Sequence, residues 1–333
     1  MTRQLVSHRV LVFAVGALLL GSLLLSVPAL VDSQEDGSIS GILYPRIGLP
    51  AFLEPLEDFT IRVAGQAAAS WSAQIFNEVR EYGLEILTAE FNAEADETRL
   101  HVRIPDAVPG LYDLSVIPPE ESSMRVEPHS VSVMDSLDPP FRAIHISDTH
   151  YDTSEGQLHL KATLQRTIRI VNFLRPDFVL LTGDAINNPF EEFFSGFREE
   201  LLALEVPIIV SPGNHDHAGD KNFFERYIAP WDGSTDIGPV HVVYLDTGEY
   251  ALGGGLRPDQ VEWLRQDLSR SNDSPVKIFM SHHPIFTNPP GAVKPNSGLQ
   301  NLTDADVDLL VSIFRESGVD LLLHGHQHEN WVR

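Results

Sequence analysis

The sequence predicts an α/β fold with a mostly parallel sheet, preceded by a small all-β region. Three observations carry this. From Phe141 onward, short apolar runs alternate with stretches whose apolar residues recur at helical spacing. Between residues 37 and 135 the runs are short, alternate with period two and are separated by Pro and Gly. Asp138-Pro-Pro140 divides the two patterns.

The chain opens with a basic segment carrying Arg3 and Arg9, then an uncharged run from Val10 to Val31, then the acidic stretch Asp32 to Asp36. The run is long enough to span a bilayer. Positive charge before it and negative after it predict export, with the bulk of the chain outside the membrane. Two readings of residues 1–31 stand. Val27-Pro-Ala29 is a signal-peptidase site that releases a secreted protein, or the run remains as a single-pass anchor on the extracellular face.

Residues 37–135 carry Phe59-Thr-Ile-Arg-Val63, Leu84-Glu-Ile-Leu87, Arg99-Leu-His-Val-Arg-Ile104, Leu111-Tyr-Asp-Leu-Ser-Val116 and Val131-Ser-Val133. Such alternation predicts an antiparallel β-sandwich of the immunoglobulin- or fibronectin-like kind. It holds no cluster of metal-spaced side chains, so it reads as a spacer or binding module.

Residues 141–333 alternate strand and helix. Ala143-Ile-His-Ile146 leads to Asp148-Thr-His150. Leu160, Leu164, Ile168 and Val171 mark a helix stopped at Arg175-Pro176. Phe178-Val-Leu-Leu181 runs into Gly183-Asp184, and Phe193, Phe194, Phe197, Leu201 and Leu204 mark the next helix. Val206-Pro-Ile-Ile-Val210 precedes Ser211-Pro-Gly-Asn-His-Asp216. A strand from Val240 to Leu245 and a helix opened by Pro258 follow. Val276-Lys-Ile-Phe-Met280 ends at Ser281-His-His-Pro284. Thr303 with Asp306 starts the last helix, Gly318 stops it, and Val319-Asp-Leu-Leu-Leu323 ends at His324-Gly-His-Gln-His328. Alternation places His145 and His324 within strands, as packed histidines.

Five stretches rich in metal-capable side chains thus follow apolar strands. In open α/β sheets ligands bind outside the carboxyl ends of strands, so all five should meet at one edge. The chain has no Cys, which leaves oxygen and nitrogen ligands only. The side chains of the five stretches are Asp148, His150, Asp184, Asn214, His215, His282, His283, His326 and His328, and such carboxylates, an amide and imidazoles suit a pair of divalent ions. Such a pair gives hydroxide near neutral pH and offsets charge on a phosphate. His215 can move a proton and Asp216 can orient it. The net charge of −24, from 47 acidic against 23 basic residues, speaks against nucleic-acid partners and a nuclease activity.

Asp-x-His, Gly-Asp, Gly-Asn-His-Asp, a His before Pro and Gly-His-x-His, in that order over residues of about 141 to 328, resemble the calcineurin-like (purple acid phosphatase-like) metallophosphoesterases. The resemblance implies a layered α/β sandwich and hydrolysis of phosphoric esters at two divalent ions (Mn, Fe or Zn) by metal-bound hydroxide. The substrate is then a phosphate monoester or, alternatively, a diester such as a nucleotide or lipid head group. A catalytically inactive metal-binding adaptor is the other alternative. The resemblance implies Asp148, His150 and His328 on one metal, Asn214, His282 and His326 on the other, and Asp184 bridging. It makes His215, oriented by Asp216, the group that stabilises the transition state or protonates the leaving group, and sets His283 behind the ligands. Purple acid phosphatases carry a Tyr ligand three residues after the bridging Asp; Asn187 stands there in this chain, which favours two divalent ions over ferric iron. The family continues with further strands after Gly-His-x-His, so the domain is expected to be truncated at its C-terminus.

Overall fold

The computed structural model describes residues 38–65, 70–118, 124–219, 221–248, 255–285 and 302–328. The readings of residues 1–31 lie outside the described residues. Among the described residues, no helix is long and apolar enough to cross a membrane.

Nine strands form first: β1 (Ile42–Tyr44), β2 (Ala51–Leu53), β3 (Asp58–Ala64), β4 (Ser72–Phe76), β5 (Glu81–Gly83), β6 (Glu85–Asn92), β7 (Glu97–Arg103), β8 (Gly110–Ile117) and β9 (Arg125–Val133). They make two sheets, ordered β1-β3-β7-β6 and β2-β9-β8-β4-β5. Period-two alternation decides which face is buried. Ile61, Val63, Leu100 and Val102 of the first sheet share one core with Ile75, Tyr112, Leu114 and Val131 of the second.

The α/β part follows as β10 (Ala143–Ile146), α1 (Leu158–Leu174), β11 (Phe178–Thr182), α2 (Glu191–Leu201), β12 (Ile208–Ser211), a 3-10 turn (Asn214–Asp216), α3 (Phe223–Tyr227), β13 (Gly233–Ile237), β14 (Val240–Tyr244), α4 (Pro258–Arg270), β15 (Val276–Met280), α5 (Asp304–Ser317) and β16 (Leu321–Leu323). Local chemistry sets the helix ends. Thr303 caps α5 by accepting from the Asp306 N–H, and Gly318 closes it in the left-handed conformation. Arg175 ends α1 just before Pro176.

The expected sheet is divided in two. Strands β10-β11-β12 pair parallel, while β14-β15-β16 pair parallel in a second sheet edged by antiparallel β13. The reason lies at β12, where the Val210 N–H donates to the carbonyl of Gly48 rather than to another parallel strand. The inner faces share a core, with Val179 and Leu181 of one sheet and Val242, Tyr244 and Met280 of the other. Val243 and Phe279 on the opposite face pack against Leu264 and Leu268 of α4 and Leu310 and Phe314 of α5. Ile47, Leu49 and Phe52 also enter the shared core, and Phe52 meets Phe178 edge-on at 6.0 Å. The ends of β10, β11, β12, β15 and β16 carry the candidate ligands.

Candidate metal centre

Backbone hydrogen bonds zip the first two strand-end loops together. The N–H groups of Asp148, His150 and Tyr151 donate to the carbonyls of Gly183, Asp184 and Ala185, at 3.1, 2.9 and 2.8 Å. This brings the Asp-x-His side chains to Asp184. The turn after β12 closes on the same point: the His215 N–H donates to Asp184 Oδ1 at 2.9 Å. A Cβ on Gly213 would stand 2.3 Å from that oxygen, so only glycine fits there. From the second sheet, His282 Nδ1 donates to the Thr182 carbonyl at 2.9 Å, which leaves Nε2 facing Asp184 Oδ2 at 3.1 Å. The His326 N–H donates to both Asp148 oxygens at 3.1 Å.

Two ligand groups result. Asp148, His150 and His328 form one: His328 Nε2 lies 3.1 Å from His150 Nε2 and 3.3 Å from Asp148 Oδ1. His282 centres the other: its Nε2 lies 3.1 Å from Asp184 Oδ2 and 3.2 Å from His326 Nδ1, and His283 stands with His282 and His326. Asp184 Oδ2 is common to both, 3.1 Å from His282 Nε2 and 3.7 Å from His150 Nε2. Imidazole nitrogens about 3 Å apart match adjacent ligands on one ion with metal–nitrogen bonds of about 2.0–2.1 Å. Asn214 Oδ1 is buried and accepts no hydrogen bond among the described residues. A lone pair left unpaired in the interior is costly unless something occupies it. The donor set therefore fits a pair of cations.

Charge agrees. Burial pushes the Asp184 carboxyl up, but the hydrogen bond and charge of His282 and the His215 N–H together hold it well below the usual carboxylate range. Burial and the neighbouring charges of His282 and His326 push His283 well down, so it is neutral.

A model for calcineurin-like phosphoesterases matches residues 141–330. The chain belongs to the calcineurin-like phosphoesterase family. Over 158 residues it is 32% identical to the probable glycerophosphodiester phosphodiesterase GpdQ of Arcobacter nitrofigilis, covering 43% of this chain and 57% of that one. The glycerophosphodiester phosphodiesterase GpdQ of Enterobacter lignolyticus is 30% identical over 159 residues, 42% of this chain and 56% of that one. The 3',5'-cyclic adenosine monophosphate phosphodiesterase CpdA of Pseudomonas aeruginosa is 26% identical over 198 residues, 57% of this chain and 70% of that one. The chain thus spans a little over half the length of the two glycerophosphodiester relatives.

In this calcineurin-like phosphoesterase, Asp148, His150, Asp184, His282, His326 and His328 come together, His215 stands edge-on to His150 at 4.7 Å, and Asn214 lies beside His215 in the turn that closes on Asp184. Asp216 needs correction: it does not orient His215. Its Oδ1 accepts from the Ile186 N–H at 3.0 Å, and its Oδ2 accepts from Gly213 and Ala185 at 2.8 and 3.3 Å. Fully buried, it joins the loops after β11 and β12. Burial, with the charge of Asp184 beside it, pushes its carboxyl up to about 7 against the Gly213 and Ile186 N–H groups. His215 Nδ1 donates instead to the Asn187 carbonyl at 2.7 Å. His145 is a second correction. It is exposed, on edge strand β10, where Thr182 Oγ1 meets its Nε2 at 2.9 Å.

Sequence reasoning missed three supports. Thr182 gives its carbonyl to His282. Thr247 Oγ1 lies 3.1 Å from His283 Nδ1. Asp152 accepts from the side-chain amides of Asn187 and Asn188. Only Asp152 left any signal, as a carboxylate two residues past Asp-x-His.

Proposed function

We propose that this chain hydrolyses phosphoric diesters with two divalent cations held by Asp148, His150 and His328 on one side and Asn214, His282 and His326 on the other, with Asp184 shared. The observation that carries the reading is Asp184 Oδ2, which lies within 3.7 Å of imidazoles from both groups. The relatives' names favour a diester over a monoester. Mn, Fe and Zn all suit the donor set. On the same footing, residues 1–31 serve export or anchoring, and residues 37–135 act as an immunoglobulin- or fibronectin-like spacer.

The need for cations follows from charge. Asp148 and Asp184 would repel a phosphate anion, and divalent ions reverse the local sign. When bound, they supply an activated water and offset the charge that develops on phosphorus. The chain's own part is to orient. The Asn187 carbonyl takes the Nδ1–H of His215, which fixes the ring and leaves Nε2 for the substrate. From there Nε2, protonated along with Nδ1, gives its proton to the departing alcohol oxygen and leaves the ring neutral.

The test compares a chromogenic phosphodiester with the matching monoester on Mn²⁺-loaded protein, with and without chelator. Faster, chelator-sensitive diester cleavage is expected. Asp184→Asn loses bound metal and turnover together, whereas His215→Ala keeps its metal and loses turnover. Equal metal loss in both variants would overturn the assignment of roles.

A further inference from the structure

His215 owes its position to a backbone carbonyl, and a carbonyl is only as fixed as the peptide that carries it. Asn187 is held at two points. Its N–H donates to the Tyr151 carbonyl at 3.1 Å, and its side-chain Nδ2 donates to Asp152 Oδ2 at 2.9 Å. The same Oδ2 takes Asn188 Nδ2 at 2.7 Å. Asp152 Oδ1 is occupied by the N–H of Ser154 at 2.7 Å and by the Ser154 hydroxyl. Asp152 is itself 0% exposed. A buried carboxylate with both oxygens filled is a rigid clamp, and two of its four donors are consecutive asparagines in the loop that carries the His215 acceptor.

We propose that Asp152 is a positioning residue for His215, acting through Asn187: it grips the Asn187 side chain so that the Asn187 carbonyl stays aimed at His215 Nδ1. The inference rests on the role of His215 given above. In this enzyme water supplies the new phosphorus–oxygen bond and the bond to the leaving alcohol breaks. The electron pair stays on the alcohol oxygen, which takes the proton from His215 Nε2. A ring free to turn about its χ angles presents Nε2 only part of the time. The defect should therefore grow with the basicity of the leaving oxygen. Burial pushes the Asp152 carboxyl up, but the bonds from Asn187, Ser154 and Asn188 outweigh it and bring it down to about 2. The clamp is then ionised throughout the working range and introduces no titration of its own.

A purely structural Asp152, tying the start of α1 to the loop after β11, would lower all rates alike. A series of aryl phosphodiesters with leaving phenols of increasing pKa separates the two. The proteins are the Mn²⁺-loaded wild type, Asp152→Asn, Ser154→Ala, His215→Ala and the Asp152→Asn/His215→Ala double variant, with bound Mn²⁺ measured by titration for each. Asp152→Asn should keep the wild-type Mn²⁺ stoichiometry and lose about 10–100-fold in kcat for the least acidic phenol, with a much smaller loss for p-nitrophenol. It should lose nothing further in the His215→Ala background. Ser154→Ala removes a bond to the same carboxylate without touching Asn187 and should leave the leaving-group slope unchanged. If Asp152→Asn does not fold, Asn187→Ala keeps the carbonyl, frees it from the clamp and should give the same slope. Equal losses across the series, or losses that multiply with those of His215→Ala, would overturn the proposal. A wild type that binds no Mn²⁺ and cleaves no ester would instead overturn the function on which it rests.

Discussion

Glu127 lies in β9, yet its carboxylate serves the α/β part of the molecule. It is 0% exposed. Arg198 of α2 makes a two-pronged contact with it, Nη1 to Oε1 at 2.9 Å and Nη2 to Oε2 at 3.1 Å. Arg46 Nε stands 3.3 Å from Oε1, the Ile47 N–H donates to Oε1 at 3.0 Å, and Ser40 Oγ donates to Oε2 at 2.7 Å. Burial pushes the Glu127 carboxyl up, and the charges of Arg46 and Arg198 pull it further down. Glu127→Gln keeps the shape and removes the charge, taking from two buried guanidinium groups the carboxylate they share. Removing one partner of a buried pair costs about 3–5 kcal/mol. At about 2 °C per kcal/mol for a chain of this size, the thermal midpoint should fall by roughly 6–10 °C. Thermal unfolding followed by circular dichroism measures it. Adding Arg198→Met to Glu127→Gln should recover part of the loss, because one stranded charge goes with it. A midpoint within about 2 °C of wild type for Glu127→Gln would refute the reasoning, since the network would then contribute no more than an exposed ion pair.

Three further outcomes follow from named contacts. His241 is buried between Asp236 at 2.7 Å and Asp267 at 2.9 Å; burial lowers its pKa, but the two carboxylates outweigh this and raise it to about 9. A raised pKa stabilises the fold fully below about 6.5 and ceases to do so as pH rises through about 9, so the advantage of wild type over His241→Asn, about 2 kcal/mol after allowing for the 68% exposure of Asp236, should be present at pH 6 and gone by pH 10 in paired thermal melts. Gly213→Ala would force its Cβ against Asp184 Oδ1, so calorimetric Mn²⁺ titration should show binding weakened at both ions. For the wild type, free Mn²⁺ at about 100 times its dissociation constant should add about 2.7 kcal/mol to stability, and a melt unchanged by Mn²⁺ or chelator would contradict a folded-state metal site.

The strands and helices that carry the site were legible because their patterns are local. Thr303 and Gly318 bound α5, and Pro258 opens α4, where the sequence places them. The meeting of five strand ends was legible because parallel strands linked by helices all finish on one edge. What was not legible depended on pairing between distant segments. Nothing in the run Ile208–Ser211 says that Gly48 will take the Val210 N–H and that the sheet will stop there. The misreading of Asp216 has a geometric cause. Residues 214–216 form a 3-10 turn, and three residues per turn send successive side chains about 120° apart. Asn214, His215 and Asp216 therefore cannot all face the site, and Asp216 is carried under it. For His145 the alternation was sound, but β10 is an edge strand and its second face is uncovered among the described residues.

The backbone explains why the ligands come at these spacings. Ten non-glycine residues among those described have positive φ, and five of them are Asp148, His150, Asp184, His326 and His328, at 54°, 46°, 51°, 73° and 53°. The left-handed region costs an ordinary side chain about 1–2 kcal/mol. It also turns the chain sharply at a strand end, so that Asp148 and His150 of Asp148-Thr-His150 reach one ligand group, and His326 and His328 of His326-Gln-His328 reach the two neighbouring ones. Glycine would relieve the strain but bring no ligand, so glycines stand beside the ligands instead. Gly183, Gly213 and Gly325 occupy places where a Cβ would meet His282 at 2.7 Å, Asp184 at 2.3 Å and Ser147 at 1.8 Å. Strain of this kind persists only where the surroundings over-determine the conformation. Here the anchors are the Asp148 carboxylate on the His326 N–H, the Asp216 carboxylate on three N–H groups, and Asp152 on the loop of Asn187. Asp216 thus belongs to the site although it never faces the substrate: it holds the strained turns in register, and the ligands can point inward because of it.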